Sequence, residues 1–118
     1  MLSFPPAVRI WLGAAPVDLR KSFDTLAELV RQHLHNDPLS GPVFVFRNQR
    51  GDRVKLLYWD QDGLAIWYKR LEEGTFAAPQ PSGDSQSVQL TAEELALILS
   101  GVDLAGAKHR KRYERKTA

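Results

Sequence analysis

Residues 54–70 read VKLLYWDQDGLAIWYKR, two runs rich in aromatic and β-branched residues on either side of an Asp-Gln-Asp-Gly turn. This pattern predicts an antiparallel hairpin of strands 54–59 and 64–69. The turn pairs Trp59 with Leu64, Leu57 with Ile66 and Lys55 with Tyr68. Because strand side chains alternate, one face of the hairpin must pack against the helices. Both faces are nevertheless too apolar for either to be fully exposed to solvent.

The two aspartates of the turn raise the question of a metal or catalytic site. Aspartate side chains commonly bond their own turn backbone, and we expect Gly63 to supply a positive φ. The stretch lacks the ligand spacing of a calcium-binding EF-hand loop. A two-metal nuclease would require several converging carboxylates. We therefore interpret Asp60 and Asp62 as turn residues, with a metal-dependent nuclease as the weaker alternative.

Outward from the hairpin, local patterns predict the remaining elements. Apolar residues at helical spacing predict a helix over about 19–35, and a Thr-x-x-Glu capping box from Thr91 to Glu94 begins a second helix over about 92–100. Short β-prone runs predict strands at 8–12, 43–46 and 87–90. The sequence therefore predicts an α+β fold in which an antiparallel meander of three to five strands carries two helices packed on one face.

Composition limits the class of protein. The chain has 118 residues, 43% of them hydrophobic, and no cysteine, which fits one domain over residues 1–106 without disulfides. No segment resembles a signal peptide or a membrane span, so we expect a cytoplasmic protein without membrane association. The histidines and glycines form no zinc or nucleotide motif, and no cofactor, metal site or catalytic residue is predicted.

Charge is concentrated in a basic tail at residues 107–118. Six Lys and Arg residues against one Glu give this tail a charge of +5, which leaves −3 for the rest of a chain whose net charge is +2. Such asymmetry indicates an anionic partner, although a solvated tail that only maintains solubility remains the alternative. If all six cations meet duplex DNA, the tail contributes up to about −5 to the slope of log affinity against log salt.

Four stretches closely resemble a known family: VDLRKSFDTLAELV (17–30), DPLSGPVFVF (37–46), GDRVKLLYWDQDGLAIWYKRLEEGTF (51–76) and LTAEELALILSGVDL (90–104). Their D-L-R-K, D-P-x-S-G and Y-W-D-x-D-G motifs resemble, in order, those of the small accessory protein, called TnpB or Orf2-like, of the bacterial insertion-sequence family sixty-six. The resemblance implies a role in transposition beside a separate, larger transposase encoded by the same element.

Two functions are consistent with this resemblance, in addition to the weaker hypothesis of a metal-dependent nuclease. The first is a non-enzymatic accessory protein that binds DNA, largely without sequence specificity, or the transposase, or both. The second is a protein–protein adaptor whose aromatic face docks onto the transposase. The candidate binding residues are basic side chains for phosphates and aromatic rings for stacking: Arg20, Lys21, Arg47, Arg50, Arg53, Lys55, Trp59, Tyr68, Lys69, Arg70, Lys108, Arg110, Lys111 and Arg112.

Overall fold

The structure is a computed structural model that describes residues 2–101. The expected boundary at residue 106 and the basic tail, with Lys108, Arg110, Lys111 and Arg112, lie outside the described residues. Seven elements follow one another along the chain: β1 (Ile10–Gly13), α1 (Phe23–His33), β2 (Val43–Arg47), β3 (Arg53–Asp60), β4 (Gly63–Arg70), β5 (Ser87–Leu90) and α2 (Ala92–Ser100).

The five strands form one mixed sheet in the order β4-β3-β2-β1-β5. The predicted α+β class is confirmed, but the expectation of an antiparallel sheet is wrong at one place, because β1 and β2 pair in parallel. The other neighbouring pairs are antiparallel. Parallel neighbours require a long crossover connection, and α1 with its flanking segments supplies it.

The hairpin register follows the sequence prediction. Trp59 pairs with Leu64, Leu57 with Ile66 and Lys55 with Tyr68. The pairing continues without a slip from Asp60 opposite Gly63 to Arg53 opposite Arg70, so the hairpin is one uninterrupted ladder.

The predicted chemistry of the turn is wrong in detail. Gln61 and Asp62 form a two-residue loop, and Gln61 adopts a φ of 55°, whereas Gly63 is the first residue of β4 and has no positive φ. The Asp62 N–H donates to the Asp60 carbonyl. Within residues 2–101 neither aspartate side chain makes a hydrogen bond, so the expected bonds from these side chains to the turn backbone are not formed.

The two helices cover opposite faces of the sheet, so the expectation that they share one face is wrong. Buried residues of α1, such as Leu26 and Val30, join Phe44 and Phe46 of β2 in one cluster. A second cluster contains Leu95 and Ile98 of α2 together with Val43 and Val45 of β2 and the loop residue Phe76. Successive strand residues point to opposite faces, so these two clusters lie on the two sides of the sheet.

The second helix begins and ends as the sequence predicts. The Thr91 hydroxyl accepts from the Glu94 N–H at 3.0 Å, and the Glu94 carboxylate accepts from the Thr91 N–H at 2.9 Å. Gly101 closes the helix with a φ of 98°, a conformation that glycine adopts without steric cost. Neither helix of residues 2–101 is both long and apolar enough to cross a membrane.

The observed loop geometry predicts which turn residue tolerates a β-branched side chain. Gln61→Val should lower the free energy of unfolding by about 1–2 kcal/mol, because valine resists a positive φ. Gly63→Val should change it by less than about 0.5 kcal/mol, because valine suits a strand and a Cβ at Gly63 meets no atom within 4 Å. Urea unfolding of both variants tests this, and a larger loss for Gly63→Val than for Gln61→Val would contradict the assignment.

Candidate nucleic-acid interface

An open groove of about 450 Å³ lies where the segment before α1 meets the loop between β2 and β3. The Val17 N–H donates to the Arg47 carbonyl at 2.9 Å and joins the two segments. Arg20 comes from the first segment, Arg50 from the loop and Arg53 from the start of β3, and all three line the groove. The fold thus brings together three of the candidate cations.

Asn48 shapes the loop side of the groove. Its side-chain oxygen accepts from the Arg53 N–H at 3.0 Å, and its side-chain nitrogen donates to the Asp52 carboxylate at 2.7 Å. Gly51 turns the chain with a φ of 76°. The hydrogen bond from Asn48 holds the pKa of Asp52 below its ordinary value. Partial burial of the carboxylate opposes this shift, whereas the positive charges of Arg50 and Arg53 add to it. Sequence reasoning missed Asn48, although an asparagine in a short loop that also contains a glycine is typical of this role.

The three groove arginines differ in how their charge is compensated. Arg20 binds the Asp18 carboxylate, with an Nη2–Oδ2 distance of 2.7 Å and a further contact through Nε. This hydrogen bonding from the Arg20 side chain and backbone lowers the pKa of Asp18 far below its ordinary value. Within residues 2–101, Arg50 and Arg53 form no ion pair with a carboxylate. They are therefore the groove cations available to an external anion.

Tyr68 borders the same end of the hairpin. Its hydroxyl accepts from Nη1 of Arg53 at 3.2 Å, and the residue is 46% exposed. By strand alternation, Tyr68, Arg53 and Arg70 lie on the face that carries α1. Arg70 pairs with Glu72 at 3.0 Å. An exposed aromatic ring beside a cation suits a planar ligand, such as a nucleotide base.

Two candidate cations serve the fold. Lys55 is only 8% exposed; its Nζ donates to the Lys21 carbonyl at 2.8 Å and lies 4.8 Å from the centre of the Tyr68 ring. The Arg47 guanidinium donates to the Phe76 carbonyl at 2.6 Å and is partly buried. Both side chains connect distant segments, so their charged ends are already engaged inside the molecule.

The remaining candidates do not line the groove. Lys69 is exposed on the opposite face of β4, and Lys21 is exposed just before α1. Trp59 is half-buried near the turn end of the hairpin, four residues and therefore about 13 Å along β3 from Lys55. Within residues 2–101 no group of three or more His, Asp or Glu side chains is placed to hold a metal ion.

Comparison with known proteins gives a consistent assignment. A family model described as IS66 Orf2 like protein matches residues 8–109. Two similar proteins come from Sinorhizobium fredii (strain NBRC 101917 / NGR234). Uncharacterized protein y4jC is 38% identical over 110 residues, 93% of this chain and 92% of its own length. Uncharacterized protein y4hO is 34% identical over 103 residues, 87% and 88% of the two chains. No solved structure matches the chain significantly.

The different environments of two lysines on the hairpin lead to a stability prediction. Lys55→Ala should lower the free energy of unfolding by about 1–3 kcal/mol, because it removes a buried charged hydrogen bond and the contact with the Tyr68 ring. Lys69→Ala is the matched control and should change stability by less than about 0.5 kcal/mol, because its side chain is exposed. Urea unfolding measures both, and equal stabilities would show that the Lys55 ammonium contributes nothing to the fold.

Proposed function

The chain belongs to the IS66 Orf2 like protein family, which associates it with transposition, and we propose that it is a non-enzymatic accessory protein that binds the DNA backbone through the groove. One observation carries the proposal. Arg20, from the segment before α1, lines a single open space with Arg50 and Arg53, from the loop after β2 and the start of β3, although the chain outside its tail has a net charge of −3.

Groove chemistry favours phosphate over other ligands. Guanidinium groups bind phosphate oxygens through paired hydrogen bonds, and such contacts position a protein on DNA without reading its sequence. Arg50 and Arg53 have no carboxylate partner within residues 2–101, so binding phosphate does not require breaking an internal ion pair. Tyr68, which is exposed beside Arg53, would stack on an unpaired base.

The basic tail would extend the same contact. Its six cations supply a sequence-independent attraction, while the groove defines where the backbone lies on the folded part. In this arrangement the tail raises the affinity for all DNA alike. The protein would act beside the element's transposase, and binding to the transposase alone is the alternative function.

The groove arginines should determine part of the salt dependence of DNA binding. On duplex DNA, each lost phosphate contact makes the negative slope of log affinity against log salt shallower by about 0.9. The double variant Arg50→Ala with Arg53→Ala should therefore have a slope that is shallower by about 1.8. Arg9→Ala with Arg31→Ala is the matched control, since both arginines are exposed and lie outside the groove. Fluorescence anisotropy of a labelled duplex at several salt concentrations measures the slopes.

Equal slopes for these two double variants would remove the groove from the proposal. A full-length protein that does not bind DNA at low salt but is retained by the transposase would favour the adaptor function. Thermal melts of each variant separate lost binding from lost folding.

Asp18 should limit the affinity of the groove for DNA, because it neutralises Arg20. A depressed pKa keeps Asp18 ionised and the pair intact above the ordinary aspartate pKa, and the pair is lost only when pH falls through the lower folded value. Asp18→Asn should therefore strengthen binding to duplex DNA several-fold at neutral pH and low salt. Glu28→Gln, which releases Arg31 on the exposed side of α1, is the control for total charge. An equal gain in both variants would contradict a local effect.

A further inference from the structure

Strand β4 forms one outer edge of the sheet and pairs only with β3. The Leu71 N–H donates to the Asp52 carbonyl just beyond the hairpin ladder, and this bond fixes the alternation of backbone groups along β4. Odd-numbered residues exchange hydrogen bonds with β3, so Leu64, Ile66 and Tyr68 direct their N–H and C=O groups away from the sheet. Within residues 2–101 no backbone group outside the sheet ladders bonds to these three residues.

This edge lacks most of the features that usually prevent pairing with another chain. Natural edge strands are commonly short, or carry a proline, a bulge or a charge in the middle. β4 has eight residues and contains no proline, and its register with β3 shows no bulge. Its charged residues, Lys69 and Arg70, are confined to one end, which leaves the stretch from Leu64 to Tyr68 open.

The charges at the two ends of β4 have opposite signs. Asp60 and Asp62 are exposed next to its beginning, and Lys69 and Arg70 are exposed at its end, where Arg70 also pairs with Glu72 of its own chain. A second β4 running antiparallel places the acidic end of each strand beside the basic end of the other. A parallel pairing would bring like charges together, which is unfavourable for directly opposed side chains. The edge is thus complementary to itself in the antiparallel sense.

We propose that two copies of this chain associate through antiparallel pairing of their β4 strands about a two-fold axis at Ile66. In this register Ile66 faces its own copy, Leu64 faces the partner's Tyr68, and Asp62 lies opposite the partner's Arg70. Three residue pairs then exchange about six backbone hydrogen bonds. The result is a continuous ten-stranded sheet with a closed, symmetric interface.

The symmetry has a consequence for the groove. A two-fold axis through a hydrogen-bonded pair of antiparallel strands is perpendicular to the sheet, so both copies present the face that carries α1 on the same side. The two grooves would therefore open on a common surface at opposite ends of the dimer. Association itself requires no DNA and does not rest on the proposed function.

Sedimentation equilibrium of the full-length protein without DNA tests the pairing. Dimers of the wild-type chain should be detected when its concentration is raised to about 100 µM, which is high enough to reveal even weak association. Tyr68→Pro removes an outward N–H and should abolish dimers, because proline on an edge leaves the bonds to β3 intact. Tyr68→Thr also removes the phenol ring with its hydroxyl, as the proline variant does, but it keeps the backbone N–H. This variant should still dimerise.

A charge exchange tests the register. Asp62→Arg alone should weaken association about tenfold, because each substitution acts twice in a symmetric pair. Adding Arg70→Asp should restore most of the loss, provided that thermal melts show the variants folded. A monomeric wild-type chain, equal dimerisation of Tyr68→Pro and Tyr68→Thr, or no recovery in the exchanged variant would overturn the proposal. If the wild type is monomeric but binds an extended peptide along this edge, the partner is another protein.

Discussion

The burial of strand β2 on both of its faces is the constraint on which the rest of the structure depends. Every side chain from Val43 to Phe46 is buried, and neighbouring residues point in opposite directions. One helix can cover only one set, so α1 packs on Phe44 and Phe46 while α2 and Phe76 join the cluster of Val43 and Val45. This strand is also the central one of the five, and β4 and β5 form the two edges of the sheet.

The same constraint positions the groove. Where β2 ends at Arg47, the chain leaves the core, and the bond from the Val17 N–H brings the crossover segment to that point. Cations near the core side of this junction, Arg47 and Lys55, bond to carbonyls of distant segments. Within residues 2–101, the side chains on the outer side, Arg50 and Arg53, bond to no backbone carbonyl, and Arg53 contacts only the exposed Tyr68 hydroxyl. Position relative to the core therefore separates structural cations from those available to a ligand.

Local signals explain what the sequence could predict. The register of β3 and β4 follows from alternation around a two-residue loop, and α2 follows from its capping box; both involve residues close in the chain. Which face of the sheet each helix covers depends on residues far apart in the chain. The unbroken apolar run VFVF is nevertheless typical of a strand covered on both faces, and it could have indicated that the helices lie on opposite faces. The role of Lys55 could not be predicted, because its acceptor on Lys21 lies 34 residues away.

The position of β1 inside the sheet affects how the chain folds during synthesis. Ile10 pairs with Val43 on one side and with Leu90 on the other, so the second neighbour of this early strand is made much later. Until β5 leaves the ribosome, the nascent chain carries an open edge at Ile10–Gly13 whose partner does not yet exist. Such long-range pairing slows folding and exposes intermediates to aggregation. The native pairing of β1 is therefore complete only after β5 has been synthesised.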